Sequence, residues 1–272
     1  MFLGRVLEIL DSDMKTPTMY GWFHILSLAI MCLVIFLLCK HFKNPDKKTV
    51  RKIILIFSLI SIALEIYKQV NYTFSYDGIA IQSDYQWYAF PFQFCSTPMY
   101  IGLFAAFVLD EKIHNALCAY LATFSLFAGV CVMAYPAQVF IDTIGINIQT
   151  MICHGSMVIV GVWLLYINYV KAAHKTILKA IPVFIVLVVS AAIMNEVAYK
   201  TGLLKTETFN MFFISPYCDP SLPVYSLVQA VVPFPLCTVL YVIAFSLAGY
   251  IMLLIAMAVK KISFKKKELI NA

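Results

Sequence analysis

Charged side chains are scarce in this sequence: Asp, Glu, Lys and Arg make up 12% of its 272 residues. An average soluble domain carries about 25% charged and about 45–50% apolar residues, whereas 62% of this chain is apolar or aromatic and its mean hydropathy is +0.87. Such a chain lacks the polar groups to cover a soluble surface. The soluble globular, disordered, collagenous and small disulfide-rich classes are therefore excluded. Also missing are C-x-x-C pairs, zinc-ligand spacings, glycine-rich phosphate loops and nucleotide motifs. No stretch of 20–50 residues repeats, and the last apolar stretch has no lysine for a retinal Schiff base. What remains is an all-α polytopic membrane protein.

A helix needs about 20 apolar residues to cross roughly 30 Å of hydrocarbon. Seven stretches qualify: Tyr20–Leu38, Ile53–Val70, Phe90–Leu109, Ile113–Ala134, Ile148–Val170, Ala180–Tyr199 and Tyr225–Val259. Unsatisfied backbone groups are costly in lipid, so each is expected to be helical. Pro233 and Pro235 predict an interfacial or kinked start to the last. The expectation is one integral domain over 1–272, with an interfacial segment (1–18), a seven-helix bundle (20–259) and a basic tail (260–272).

Basic residues orient this bundle. Fifteen of the 20 Lys and Arg fall between the first and second stretches, in the third–fourth and fifth–sixth connections, and in the tail. Arg5, Lys15, Lys68, Lys200 and Lys205 stand on the other side. The positive-inside rule predicts an outer N-terminus and a cytoplasmic C-terminus. The net charge of +6 then reflects topology, and membrane lipids rather than nucleic acid are the expected partners. Met1–Leu10 is too short to span, precedes Asp11 and Asp13 rather than a cleavage site, and reads as an outer interfacial helix.

The loop after the second stretch is rich in rings, among them Tyr72, Phe74, Tyr76, Tyr85, Trp87, Tyr88 and Phe90. These fit an aromatic belt at the headgroups, or a mouth that admits an amphiphile. Of the eight cysteines, six lie within stretches and Cys39 at a helix end, so packing is their default role; Cys218 alone sits in an outer loop.

Ionisable groups within spans are few: His24, Glu65, Lys68, His154 and Glu196. Asn195, Gln93, Cys95 and Ser96 join them as polar candidates. Counting along each helix at 1.5 Å per residue puts this set roughly 6–9 Å below the outer boundary. The cytoplasmic half is almost wholly apolar. Plain readings stand beside functional ones: Glu65 and Lys68 can neutralise each other across one turn, and His24, His154 and Asn195 can be interhelical hydrogen-bond glue. The functional reading is a nucleophile site. A Cys95 thiol needs a base, His154 can accept its proton, and Glu65, Glu196 or Asn195 can hold the imidazole tautomer. Lys68, or backbone groups freed beside Pro98, can stabilise an oxyanion. The substrate at that depth is a lipid ester of the outer leaflet, and the chemistry is acyl transfer or ester cleavage through a thioester. The alternative is a transporter or outer-facing small-molecule binder. Convergence of His24, His154, Cys95 and Glu65 on zinc is a weaker idea, and no metal or cofactor is expected.

Tyr20–His24, Phe90–Ser96, Cys153-His154-Gly155, Asn210–Pro216, Ser221-Leu222-Pro223 and Val232-Pro233-Phe234 resemble, in matching order, the motifs of the YwaF-like bacterial integral membrane proteins. More distantly, the pattern is similar to eukaryotic transmembrane acyltransferases of ether phospholipids that use a Cys/His pair, and to androgen-induced/ADTRP-type hydrolases of fatty acid esters. The resemblance implies a multi-pass protein of a bacterial cell membrane. It implies Cys95 as nucleophile and His154 as its partner, with Asn210 among the orienting or substrate-binding residues.

Overall fold

The computed structural model describes residues 2–202, 209–218 and 223–271; Lys205, Ser221 and Leu222 lie outside the described residues. Ten α-helices account for most of it. Helix α1 (Phe2–Leu10) is followed by α2 (Trp22–His41) and α3 (Lys47–Asn71). A hairpin of β1 (Phe74–Tyr76) and β2 (Ile81–Ser83) leads to α4 (Thr97–Phe107). Next, α5 (Glu111–Tyr120) continues through a π-helical turn, Leu121–Ser125, into α6 (Leu126–Ala134). The remainder is α7 (Ile144–Tyr166), α8 (Thr176–Lys200), α9 (Pro223–Gln229) and α10 (Phe234–Asn271).

Among the described residues six helices are long and apolar enough to cross a membrane: α2, α3, α5–α6, α7, α8 and α10. Six of the seven expected stretches thus meet the length requirement, and the third differs. Pro91 has no N–H to give a helix, and Phe90 before it is extended at ψ 135°. Helix α4 begins only at Thr97, with Pro98 in its first turn, and its 11 residues rise roughly 16 Å. The chain from Phe90 to Ser96 therefore descends without regular helix. Irregular backbone is tolerated at membrane depth where protein surrounds it or a cavity adjoins it. The seventh stretch breaks where its prolines predict, between α9 and α10.

Side-chain caps fix the ends remote from the hairpin. Asp46 accepts the Thr49 N–H at 2.8 Å to start α3, and Asp110 accepts from Lys112 and Ile113 at 2.8 and 2.9 Å to start α5. At the other end the hairpin is a small β element in an otherwise helical chain, paired Phe74 to Ser83 through Tyr76 to Ile81. Its turn uses Gly78 at φ 89°, and Asp77 Oδ1 accepts from Ala80 and Ile79 at 2.7 and 2.9 Å. Those N–H groups, with Gln82, hold the Asp77 carboxyl below its ordinary pKa. Helix α1 lies against the hairpin through Gly4, which leaves room for the Tyr76 ring. The Tyr67 hydroxyl donates to the Leu10 carbonyl at 2.7 Å and ties α1 to α3.

Helix α7 is the hub, packed by α2, α3 and α6. Small residues set the closest approach: Gly129 of α6 lies against the His154 carbonyl, and Gly161 of α7 against Leu126. Stacked rings fill the other side of the core, where Phe184 lies 4.3 Å from Phe124 and 6.1 Å from Tyr241. By contrast α2 buries a single residue, His24.

Candidate functional site

Cys95 sits in the irregular segment before α4, and each of its neighbours is anchored. Gln93 Nε2 donates to the Asn210 carbonyl at 3.0 Å, while its Oε1 accepts the Phe212 N–H at 3.1 Å. The Phe94 ring lies 5.2–5.6 Å from Phe184, Phe212 and Phe245. Thr97 Oγ1 donates to the Phe94 carbonyl at 3.0 Å and lies 3.1 Å from the Tyr120 hydroxyl. With both sides pinned, the thiol's position is determined by packing rather than by helix geometry.

His154, buried on α7, lines the same chamber as that thiol. Its Nδ1 lies 2.7 Å from the Thr150 carbonyl. A carbonyl can only accept, so Nδ1 carries the proton and the Nε2 lone pair is left to take one. The tautomer is thus held by the α7 main chain, and neither Glu196 nor Asn195 reaches the imidazole.

Cys95 and His154 line one chamber of about 350 Å³ together with Glu65, Lys68 and Gln93. Toward the ends of α3, α5 and α7 remote from the hairpin its lining is apolar, with Ile54, Leu121 and Val160. Glu65 is buried but well partnered: Oε1 meets Lys68 Nζ at 2.8 Å and Gln69 Nε2 at 2.8 Å, and Oε2 accepts from Gln149 at 3.4 Å. Gln69 also donates to the Ala89 carbonyl at 2.9 Å and accepts from the Tyr85 hydroxyl at 2.6 Å. This wires the carboxylate to the aromatic loop. The desolvation cost of such a buried pair is offset by its mutual attraction together with the hydrogen bonds to the remaining lone pairs.

Ser96 also lines this chamber, whereas His24, Asn195, Asn210 and Glu196 lie outside it. His24 Nε2 donates to the Met133 carbonyl at 2.9 Å and its Nδ1 accepts the Tyr20 N–H at 3.0 Å, joining α2 to the end of α6. Asn195 grips Met211 twice, accepting its N–H at 2.8 Å and donating to its carbonyl at 3.0 Å. Asn210 Oδ1 accepts the Ser215 N–H at 2.8 Å within the same loop. Glu196 is paired with Lys200 at 2.7 Å and accepts from the Tyr217 hydroxyl at 2.6 Å. The chamber also contains residues that sequence reasoning passed over: Gln149, Ser58, Ser61, Ser125 and Ser156. All are neutral, and a search for ionisable groups does not find them. Among the described residues no three His, Cys, Asp or Glu side chains gather to hold a metal, and all eight cysteines are free.

Long apolar helices around a polar chamber define a multi-pass membrane protein. The pattern of one family of such proteins matches residues 19–256, from the start of α2 into α10. The chain belongs to the TMEM164 family. Neither a curated protein nor a solved structure matches it.

Proposed function

We propose that the chain is a lipid acyltransferase or ester hydrolase whose nucleophile is Cys95. The observation that carries this reading is one chamber lined by a thiol, by an imidazole whose tautomer the main chain holds, and by a charged pair above apolar side chains. His154 Nε2 takes the thiol proton as sulfur attacks the ester carbonyl carbon, forming the C–S bond. The carbon–oxygen bond then breaks, and the imidazolium returns its proton to the departing alcohol. A second alcohol or water, deprotonated by the same imidazole, attacks the thioester and releases the thiol. Lys68 supplies positive charge on the wall where the oxyanion would develop. Lipid reaches the site from the leaflet on the hairpin face.

The same proposal includes the finer topology: α4 with the Phe90–Ser96 segment as a seventh crossing, the hairpin face outward, one integral domain, and residence in a bacterial cell membrane. Lysine-rich connections at the ends remote from the hairpin support that orientation.

The test is covalent labelling of the reconstituted protein by an acyl-thioester-forming or thiol-directed probe. Labelling is expected at Cys95, absent in Cys95→Ala and reduced about 100-fold or more in His154→Ala, the range for loss of a general base. Labelling of another cysteine with Cys95 inert would overturn the assignment.

A further inference from the structure

Hydroxyls on helices in an apolar setting usually return to the carbonyl four residues back. This chain does so repeatedly: Ser27 to Phe23 at 2.8 Å, Thr123 to Ala119 at 2.7 Å, Ser190 to Val186 at 2.8 Å and Ser246 to Val242 at 2.6 Å. Ser125 does not. It is 1% exposed, and its Oγ has no hydrogen-bond partner among the described residues. It lines the chamber that holds Cys95 and His154. It closes the π-helical turn Leu121–Ser125, a wide and uncommon turn that recurs at functional sites. Leaving a buried hydroxyl unmade costs roughly 1–3 kcal/mol, so the position calls for a partner that arrives from the chamber.

The level of that partner follows from the packing. Gly129 abuts the His154 carbonyl, and Ser125 lies one helical turn, roughly 6 Å, further from the hairpin face than Gly129. An acyl chain joined to the Cys95 sulfur and running into the apolar depth therefore passes Ser125 below its carbonyl carbon. Ser58 and Ser156 line the chamber from α3 and α7, so the same zone is bordered by hydroxyls from three walls.

We propose that the chamber selects an acyl chain bearing an oxygen substituent, a hydroxyl above all, which hydrogen-bonds Ser125. This rests on the acyl-chain reading of the site and names its substrate class. Binding of free fatty acids tests it without requiring turnover. Protein reconstituted in detergent micelles is incubated with stearate or with hydroxystearates whose hydroxyl is moved along the chain, and protection of Cys95 from a thiol reagent is titrated. One positional isomer is expected to protect at about five- to tenfold lower concentration than stearate, the range for one neutral hydrogen bond. That advantage is expected to vanish in Ser125→Ala, with stearate protecting both forms alike, which also shows that the variant folds. Equal protection by all chains, or an advantage that survives Ser125→Ala, overturns the proposal and leaves the acyl site standing, the hydroxyl then serving only a water. Absence of protection by any chain, stearate included, overturns both.

Discussion

At the residue scale, the base is positioned by two features of the backbone: the Thr150 carbonyl on Nδ1 and the close seat of α6 at Gly129. A Cβ at Gly129 would lie 2.8 Å from the His154 carbonyl oxygen and 2.9 Å from Met157 Cβ, so α7 itself has to move. Gly129→Ala is expected to cost about 1–3 kcal/mol, the range for overpacking, and to weaken Cys95 labelling. Gly155→Ala, one residue from the imidazole, is the control. Its Cβ meets nothing nearer than 3.9 Å, and both stability and labelling are expected to hold. Thermal unfolding in detergent and probe labelling of the two variants check this pair. The residue scale also shows what a sequence can and cannot say about a site in a bundle. Depth follows from counting along a helix, so His24, Cys95, Glu65, His154 and Asn195 could be set at one level. Rotation needs the phase of each helix, and one residue turns it about 100°. Hence His24 and Asn195, which counting sets at the level of Cys95 and His154, turn toward Met133 and Met211 instead.

At the element scale, the loop over 209–218 and the segment over 90–96 behave as one unit. Phe212 and Phe213 have φ of 59° and 58°, a region that bulky residues avoid. Gln93 and Asn195 hold the loop there with two hydrogen bonds each. Asn195→Ala leaves the buried Met211 amide unpaired and is expected to destabilise by about 1–3 kcal/mol. Because both side chains hold one loop, Gln93→Ala is expected to add less in that background than alone. A double-mutant cycle by thermal unfolding measures the coupling, and strict additivity would separate the two elements. The long helices were legible because about 20 apolar residues in lipid have one regular solution. The third stretch looked the same by composition, and its prolines signalled loosening. How far the helix retreats depends on Phe94 and Gln93 finding partners on α8, α10 and the 209–218 loop, which hydropathy does not encode. The three-residue strands are too short for alternation to register.

At the scale of the whole molecule, the charge distribution predicts which face meets the cytoplasm. In intact cells, a membrane-impermeant maleimide is expected to reach Cys218 on the hairpin face. A cysteine replacing the exposed Lys43, in a background otherwise free of accessible thiols, is expected to react only after permeabilisation. The reverse pattern would invert the topology. The chamber's lining runs from Tyr72 and Tyr88 near the hairpin to Ile54, Leu121 and Val160 at the remote end, with its charged side chains, Glu65 and Lys68, towards the hairpin. Charge at one end alone fits a cup for a lipid better than a conduit for a transported solute.

Helix α2 has 20 residues and sinks one of them, His24, into the protein. One face, with Phe23, Leu28, Met31 and Ile35, still packs against the core, whereas Ile25, Leu26, Ile30, Leu33 and Phe36 are exposed, and any oily side chain there satisfies a bilayer. Drift should therefore be nearly free on the exposed face, constrained in size on the packed face, and closed at the imidazole. A mutational screen of α2 would read as a helical alternation of tolerance and moderate cost, with its deepest notch at His24.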